Sequence, residues 1–173
     1  QSKGMFDITA GVLNKIWDFQ SARVPAQVEI DQLLPMIGFN KLNWRKSRLI
    51  MPANMEIDFG GIVKEYAADA AAKLARRLGV ENGLVNLGGD FAVIGSQPDN
   101  RPWTVGVANP KDPDNLMAKI DLVDGGVASR GDYERSFVHE DKRYSHILNP
   151  KTGWPCTGLR AVSVAANLCT VAG

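Results

Sequence analysis

The sequence predicts an α+β fold in which mixed or antiparallel sheets pack against helices. Short apolar segments separated by turn residues recur between positions 83 and 166, a pattern typical of an antiparallel or mixed sheet. The alanine-rich stretch 61–79 has apolar residues at every fourth position, which predicts a long helix. No internal repeat, low-complexity tract or linker-like change of composition divides the chain, so we expect a single domain over 1–173.

The first 60 residues are expected to combine two helices with several short strands. Apolar residues at near-helical spacing predict a helix near 9–19, with Asp7 or Thr9 as its N-terminal cap. A second helix is predicted near 27–36. Over 40–58, apolar positions alternate with turn residues, which predicts short strands.

The rest of the chain follows from the same two patterns. The helix over 61–79 is expected to end at Gly79, because glycine commonly terminates helices. The remaining apolar segments predict strands at 83–87, 91–94, 103–107, 118–122, 126–128, 135–138 and 162–166.

Composition and charge exclude some functions and leave others open. With 20 Lys and Arg against 19 Asp and Glu, the net charge is +1, which gives no global electrostatic case for binding nucleic acid. The sequence contains no run of 18 apolar residues, so it predicts no membrane span. Cys156 and Cys169 lack the close spacing of zinc or redox motifs, so we expect two unpaired thiols, with a disulfide as the alternative.

The segment Asp58-Phe59-Gly60-Gly61 leads directly into the predicted long helix. Two glycines let backbone approach a ligand closely, and a helix N-terminus favours anions such as phosphate. Lys64, in the first turn, adds a point charge. A purely structural turn is the alternative, and the glycine spacing matches neither the Walker nor the Rossmann pattern.

The segment Asn86–Asp90 repeats this arrangement after another predicted strand. Gly88 and Gly89 are followed by a carboxylate, and the alternative interpretation is a tight turn between two strands. Two Gly-Gly turns with adjoining aspartates at strand ends are better explained together, as walls of one ligand site.

Two further segments carry polar groups suited to contact a phosphate or a ring. Ser129–Arg135 combines small polar residues, an aromatic ring and two arginines, although an exposed charged loop is equally compatible. His146 precedes a firm turn and suits acid–base chemistry or phosphate binding, with a structural histidine as the alternative. His139 has no surrounding pattern and is expected at the surface.

Five ordered segments together resemble the ApbE family of FAD:protein FMN transferases, and the resemblance covers essentially the whole chain. The matching segments are GMFDITAGVL at 4–13, DFGGIVKEYAAD at 58–69, NLGGD at 86–90, SRGDY at 129–133 and HILNPKTGWP at 146–155.

The resemblance implies an ApbE-like fold and an enzyme that splits FAD with a divalent metal, usually Mg²⁺. FMN would be joined through its phosphate to a Ser or Thr of a target flavoprotein subunit, and AMP would leave. Members are typically periplasmic and often anchored to the inner membrane as lipoproteins. Relative to the family, we expect this chain to be truncated at both ends.

Site residues carried over from the family motifs imply an FAD site with a metal. His146 would lie at the reacting phosphates as the catalytic residue, and the backbone carbonyl of Gly61 would be a metal ligand. The cofactor-binding positions would be Met5, Phe6, Asp7, Asp58, Lys64, Gly88, Gly89 and Leu148.

Three positions depart from the family pattern. Glu65 stands where a glycine is usual, Arg130 stands where a serine is usual, and Gly173 falls where an aspartate would contribute to the metal site. These departures keep two alternatives open. One is an FAD pyrophosphatase that releases FMN and AMP, and the other is an FAD-binding protein with impaired catalysis.

Overall fold

A computed structural model describes residues 2–132 and 135–173, and it has the α+β composition expected. The chain contains two compact units, Gln1–Phe59 with Asp132–Leu159 and Gly60–Gly131 with Arg160–Gly173. Each unit has its own apolar core. The single domain expected over 1–173 stays a prediction.

The described part of the chain contains three α-helices and ten β-strands. In order they are α1 (Gln27–Leu33), β1 (Asn43–Arg45), β2 (Arg48–Ile50), α2 (Val63–Arg77), β3 (Gly83–Leu87), β4 (Asp90–Ile94), β5 (Trp103–Asn109), β6 (Asp112–Leu122), β7 (Gly126–Gly131), β8 (Ser136–His139), β9 (Lys142–Ser145), β10 (Ala161–Ala166) and α3 (Cys169–Ala172). Short 3₁₀ helices cover Ile8–Lys15, Leu34–Met36 and Phe39–Lys41.

In the first unit, most of the predicted elements are present with altered ends. The helix expected near 9–19 is the 3₁₀ helix Ile8–Lys15, and Asp7 caps it as predicted. The strand expected around Met55 is wrong. Met55 is buried in an irregular segment, and three residues later the N–H of Asp58 donates to the carbonyl of Ile8 at 2.8 Å instead of joining a strand ladder.

An aromatic and aliphatic core organises this unit. Leu13, Trp17, Ile30 and Tyr144 form its buried cluster. The indole N–H of Trp17 donates to the carbonyl of Gly153 at 2.8 Å. Gly153 has φ +71°, and a Cβ there would collide with Ile30. The core therefore holds the turn that follows the segment carrying His146.

The second unit is built on a four-stranded antiparallel sheet in the order β10-β7-β4-β3. The strands β5 and β6 form a separate antiparallel hairpin. The helices α2 and α3 contribute to one buried cluster with the sheet. Its members are Ala68, Ala72, Ala92, Ile94, Ala128, Cys169 and Ala172. Mostly small side chains allow α2 to lie close to the sheet.

The helix α2 confirms the predicted element but buries a different face from the periodic one. Tyr66, Leu74 and Leu78, which repeat at every fourth position, are exposed, whereas Glu65 and Ala68 are fully buried. Neither α2 nor any other helix within the described residues has the length and apolar character needed to cross a bilayer.

Candidate functional site

The predicted site residues form one group in each unit. Met5, Phe6, Asp7, Asp58, His146 and Leu148 belong to the first, whereas Gly61, Lys64, Gly88 and Gly89 belong to the second.

The carboxylate of Asp7 is occupied by local hydrogen bonds. It accepts from the N–H of Thr9 at 2.9 Å, from the Thr9 hydroxyl at 2.6 Å and from the N–H of Phe39 at 2.9 Å. Burial raises the pKa of Asp7, but the hydrogen bonds from Thr9 and Phe39 outweigh it, so the pKa lies below its ordinary value. Asp7 thus orders the segment on which the exposed Met5 and Phe6 lie.

Asp58 packs directly against the 3₁₀ helix Ile8–Lys15. Its Oδ2 accepts a hydrogen bond from Nδ2 of Asn14 at 3.1 Å. A Cβ built on Gly11 would lie 2.6 Å from the Cβ of Asp58, so glycine is needed for this close approach. Sequence reasoning missed both Asn14 and Gly11. A glycine inside an otherwise helical pattern is the signal that indicates such a contact.

His146 follows β9 and is half-buried. Its backbone N–H donates to the carbonyl of Arg135 at 3.0 Å, and its ring Nδ1 lies 3.2 Å from the same oxygen. A proton on Nδ1 can donate to that carbonyl, and this tautomer leaves a lone pair on Nε2. Leu148, two residues on, pairs with Pro155 in an isolated bridge. His139 is exposed, as expected.

In the second unit, Gly88 and Gly89 form the two-residue turn between β3 and β4. Both have positive φ, +64° and +91°, and the flanking Leu87 and Asp90 are paired. This is the geometry of a type I′ hairpin turn, so the tight turn between two strands is present, and the ligand-binding role of the segment stays a prediction. The turn also lies beside Lys64, whose Nζ is 3.8 Å from the position of a Cβ on Gly88.

Four charged side chains of the second unit form what we call the ion-pair cluster: Lys64, Glu65, Asp90 and Arg130. Asp90 Oδ2 lies 2.9 Å from Lys64 Nζ, and the Nη1 of Arg130 donates to both Asp90 oxygens at 3.0 and 3.2 Å. The Nη2 of Arg130 contacts Oε1 of Glu65. Glu65 and Asp90 are fully buried, while the side chains of Lys64 and Arg130 are 40% and 31% exposed.

The cluster brings the three departures from the family pattern together. Glu65 and Arg130 are paired with each other. A Cβ built on Gly173 would lie 2.5 Å from Oε1 of Glu65, so this carboxylate occupies the space that a side chain at 173 would need. Sequence reasoning named the three positions but missed their contact, although two departures of opposite charge are a signal for pairing.

The other predicted features of this unit are less enclosed. Gly61 is an exposed residue just before α2. Across the described ranges, no group of three or more His, Cys, Asp or Glu is placed to hold a metal ion.

Ser129 and Arg130 belong to β7, so an exposed loop is the wrong interpretation at these two positions. Tyr133 and Glu134 lie outside the described residues.

A cavity of about 410 Å³ lies on another face of α2. Tyr66, Lys73, Arg76 and Thr170 are among its lining residues. It includes none of the predicted flavin-binding positions. Lys64, Gly88 and Gly89, which the sequence predicts as cofactor-binding positions, lie instead at the ion-pair cluster and the neighbouring glycine turn.

Comparison with known proteins supports the resemblance seen in the motifs. A model of the ApbE family matches residues 1–173. A relative named FAD:protein FMN transferase from Escherichia coli (strain K12) is 29% identical over 165 residues, which cover 90% of this chain and 47% of that protein. One from Vibrio cholerae serotype O1 is 31% identical over 169 residues, covering 94% and 50%. The chain spans about half the length of the curated relatives it matches.

Solved structures of ApbE proteins have the same fold as this chain. The ApbE protein of Thermotoga maritima is 36% identical with a TM-score of 0.92, covering 99% of this chain and 57% of that one. The apo flavinyl transferase ApbE of Pseudomonas stutzeri is 31% identical with a TM-score of 0.83, covering 99% and 55%. The predicted ApbE-like α+β fold is confirmed.

Proposed function

The chain belongs to the ApbE family. From that membership we propose that it acts as an enzyme that transfers FMN from FAD to a target flavoprotein. The family match over residues 1–173 is the observation that carries the proposal. The relatives are named FAD:protein FMN transferase, and the chain spans about half of their length.

The proposed reaction is a phosphoryl transfer. The hydroxyl oxygen of a Ser or Thr on the target forms a bond to the phosphorus of the FMN half. The bond from that phosphorus to the bridging oxygen breaks, and AMP leaves with this oxygen. The hydroxyl proton passes to a base, since the hydroxyl itself is a weak nucleophile.

His146 is proposed as that base. Donation from Nδ1 to the Arg135 carbonyl, 3.2 Å away, would hold the ring in one tautomer and leave Nε2 to accept the proton. The side chain is half-buried, so its ring retains access to solvent and ligand.

Lys64 is proposed to bind an FAD phosphate. Lys64 lies in the first turn of α2, where the N–H groups and the helix dipole also favour an anion. The buried carboxylate of Asp90 holds the ammonium group at 2.9 Å, while the side chain stays partly exposed. The open turn at Gly88 and Gly89 allows a ligand to approach the backbone.

The resemblance also implies Mg²⁺, with the Gly61 carbonyl as a ligand, but the described donor groups do not fit this ion. A hard cation requires several oxygen ligands. The two buried carboxylates of the cluster, Glu65 and Asp90, are already paired with Arg130 and Lys64. We therefore derive no step through a metal.

Cellular placement rests on the resemblance alone. We propose a periplasmic enzyme, anchored to the inner membrane as a lipoprotein, that modifies a flavoprotein subunit. Fractionation of the producing cells tests this placement, which recovery in the cytoplasmic fraction would contradict.

Mass spectrometry of a candidate target incubated with the protein and FAD tests the reaction. A mass gain equal to one FMN on a Ser or Thr supports the transfer. Free FMN and AMP without a modified target favour the FAD pyrophosphatase, and unchanged FAD favours a binding protein without activity.

The two histidines provide a matched pair of variants. His146→Ala should reduce FMN transfer about 10²–10⁴-fold, as expected for loss of a general base, with little change in FAD affinity. His139→Ala, at an exposed position, should retain activity. Equal transfer by both variants would remove His146 from the mechanism.

A further inference from the structure

The ion-pair cluster balances its charges without any ion from solution. Glu65 and Asp90 contribute two negative charges, and Lys64 and Arg130 contribute two positive charges. Both carboxylates are fully buried, so leaving either without a cation would be costly.

Arg130 is the group that joins the two carboxylates. Nη1 of the guanidinium donates to both oxygens of Asp90, and Nη2 contacts Glu65. A planar guanidinium is suited to this forked contact and stays charged at any physiological pH. Arg130 is also the only polar partner shown for Glu65 within the described residues.

Packing keeps the Glu65 carboxylate at this position. A Cβ on Gly173 would lie 2.5 to 2.8 Å from Oε1, Cγ and Cδ of Glu65, so the absence of a side chain at 173 leaves the room that this carboxylate fills. Residues 65, 130 and 173 are therefore interdependent, and changing one alone leaves a buried charge or a collision.

We propose that Arg130 replaces a divalent cation in this cluster. Its guanidinium lies between Glu65 and Asp90, where a metal bound by both carboxylates would have to lie. The cluster is then neutral and stable in the absence of metal, and it does not take up Mg²⁺ while Arg130 is present. The inference concerns binding and stability, so it holds or fails independently of the proposed FMN transfer.

Thermal unfolding of the purified protein, without FAD, tests the replacement. The unfolding midpoint of the wild type should be the same in excess EDTA and in excess MgCl₂ or MnCl₂. Arg130→Ser should lower the midpoint in EDTA by about 5–10 °C, because it leaves a buried carboxylate without its partner. Mg²⁺ or Mn²⁺ should restore part of this loss, and the EPR signal of free Mn²⁺ should fall as the variant binds it.

Two further variants separate charge balance from other effects. Arg130→Ser combined with Glu65→Gln removes one charge of each sign, so it should unfold at a higher temperature than Arg130→Ser alone and show no response to Mn²⁺. Arg101→Ser removes an arginine that is 71% exposed and paired with Asp99, and it should change neither the midpoint nor the response to Mn²⁺.

Stoichiometric Mn²⁺ binding by the wild type would overturn the proposal, because the proposal requires that the cluster binds no divalent cation while Arg130 is present. An Arg130→Ser variant that stays unfolded, or does not respond, in the presence of either cation would also overturn it. If that variant folds only when Mn²⁺ is present, the equivalence of guanidinium and metal is supported.

Discussion

Asp69 anchors the short helix α3 in the second unit, and its removal should open that segment. Oδ1 of Asp69 accepts from the N–H of Cys169 at 3.0 Å. Oδ2 accepts from the N–H of Thr170 at 2.9 Å and from its hydroxyl at 2.6 Å. This carboxylate thus caps the beginning of α3 from a position on α2. Asp69→Ala removes all three acceptor contacts at once.

The size of the effect follows from these contacts. A side chain that caps a helix contributes about 0.5–2 kcal/mol, and a hydrogen bond to a charged group about 1.5–3 kcal/mol. The three bonds share one half-buried carboxylate and are not additive, so we expect a loss of about 2–3 kcal/mol in the free energy of opening α3. That corresponds to an increase of about 30- to 150-fold in the open population.

Cys169 reports this opening because its thiol is buried and unreactive in the closed segment. Burial, followed by the charges of Asp69 and Asp90, raises the pKa of Cys169 to about 11. In a Cys156→Ser background, which removes the exposed thiol, reaction with a disulfide reagent at fixed pH measures the open population. Asp69→Ala should accelerate the reaction about 30- to 150-fold.

Asp69→Asn is the matched control for the charge. It keeps one acceptor oxygen, so its reaction rate should fall between those of the wild type and Asp69→Ala. A rate for Asp69→Ala within twofold of the wild type, on the order of RT in free energy, would refute the reasoning. It would show that packing of Cys169 and Ala172 in the core, rather than the carboxylate, holds α3 in place.

Two predictions concern aspartates of the first unit. Asp58→Ala should weaken FAD binding about 10- to 100-fold in calorimetry if the carboxylate accepts a hydrogen bond from the nucleotide, and an unchanged affinity would leave Asp58 a structural role beside Asn14. Because folding lowers the pKa of Asp7 from 3.8, its contribution to stability is present above that pH and is lost as the pH falls through the folded-state value. Asp7→Asn should therefore flatten the acid limb of stability against pH in denaturant unfolding, and an identical acid limb would contradict the assigned hydrogen bonds.

The sequence predicts local features well wherever a short-range rule decides them. The periodic stretch that became α2 and the Gly88-Gly89 turn between β3 and β4 follow from spacing and from the freedom of glycine at positive φ. Asp7 was predicted as a cap from its place before a helix, which is also a local rule. The order of five short motifs was enough to identify the family.

Elements decided by distant partners were predicted less well. The strand expected around Met55 is absent because this side chain is buried in an irregular segment. The strand β9 was not predicted, because its charged residues become a strand by pairing with β8. The 3₁₀ helix Phe39–Lys41 is too short for any periodicity to reveal, and the last residues of the helix predicted near 27–36, Leu34–Met36, form a 3₁₀ helix after α1.

For the candidate site, the sequence by itself determined which residues are unusual, and the tertiary structure decided what they do. Glu65, Arg130 and Gly173 were visible as departures from a family pattern, but their meeting in one cluster depends on how α2, β7 and the end of the chain pack. Burial makes that meeting consequential, because two carboxylates removed from water require cations within contact distance. Such a requirement arises only when side chains far apart in the sequence share one desolvated volume, and no local pattern contains that information.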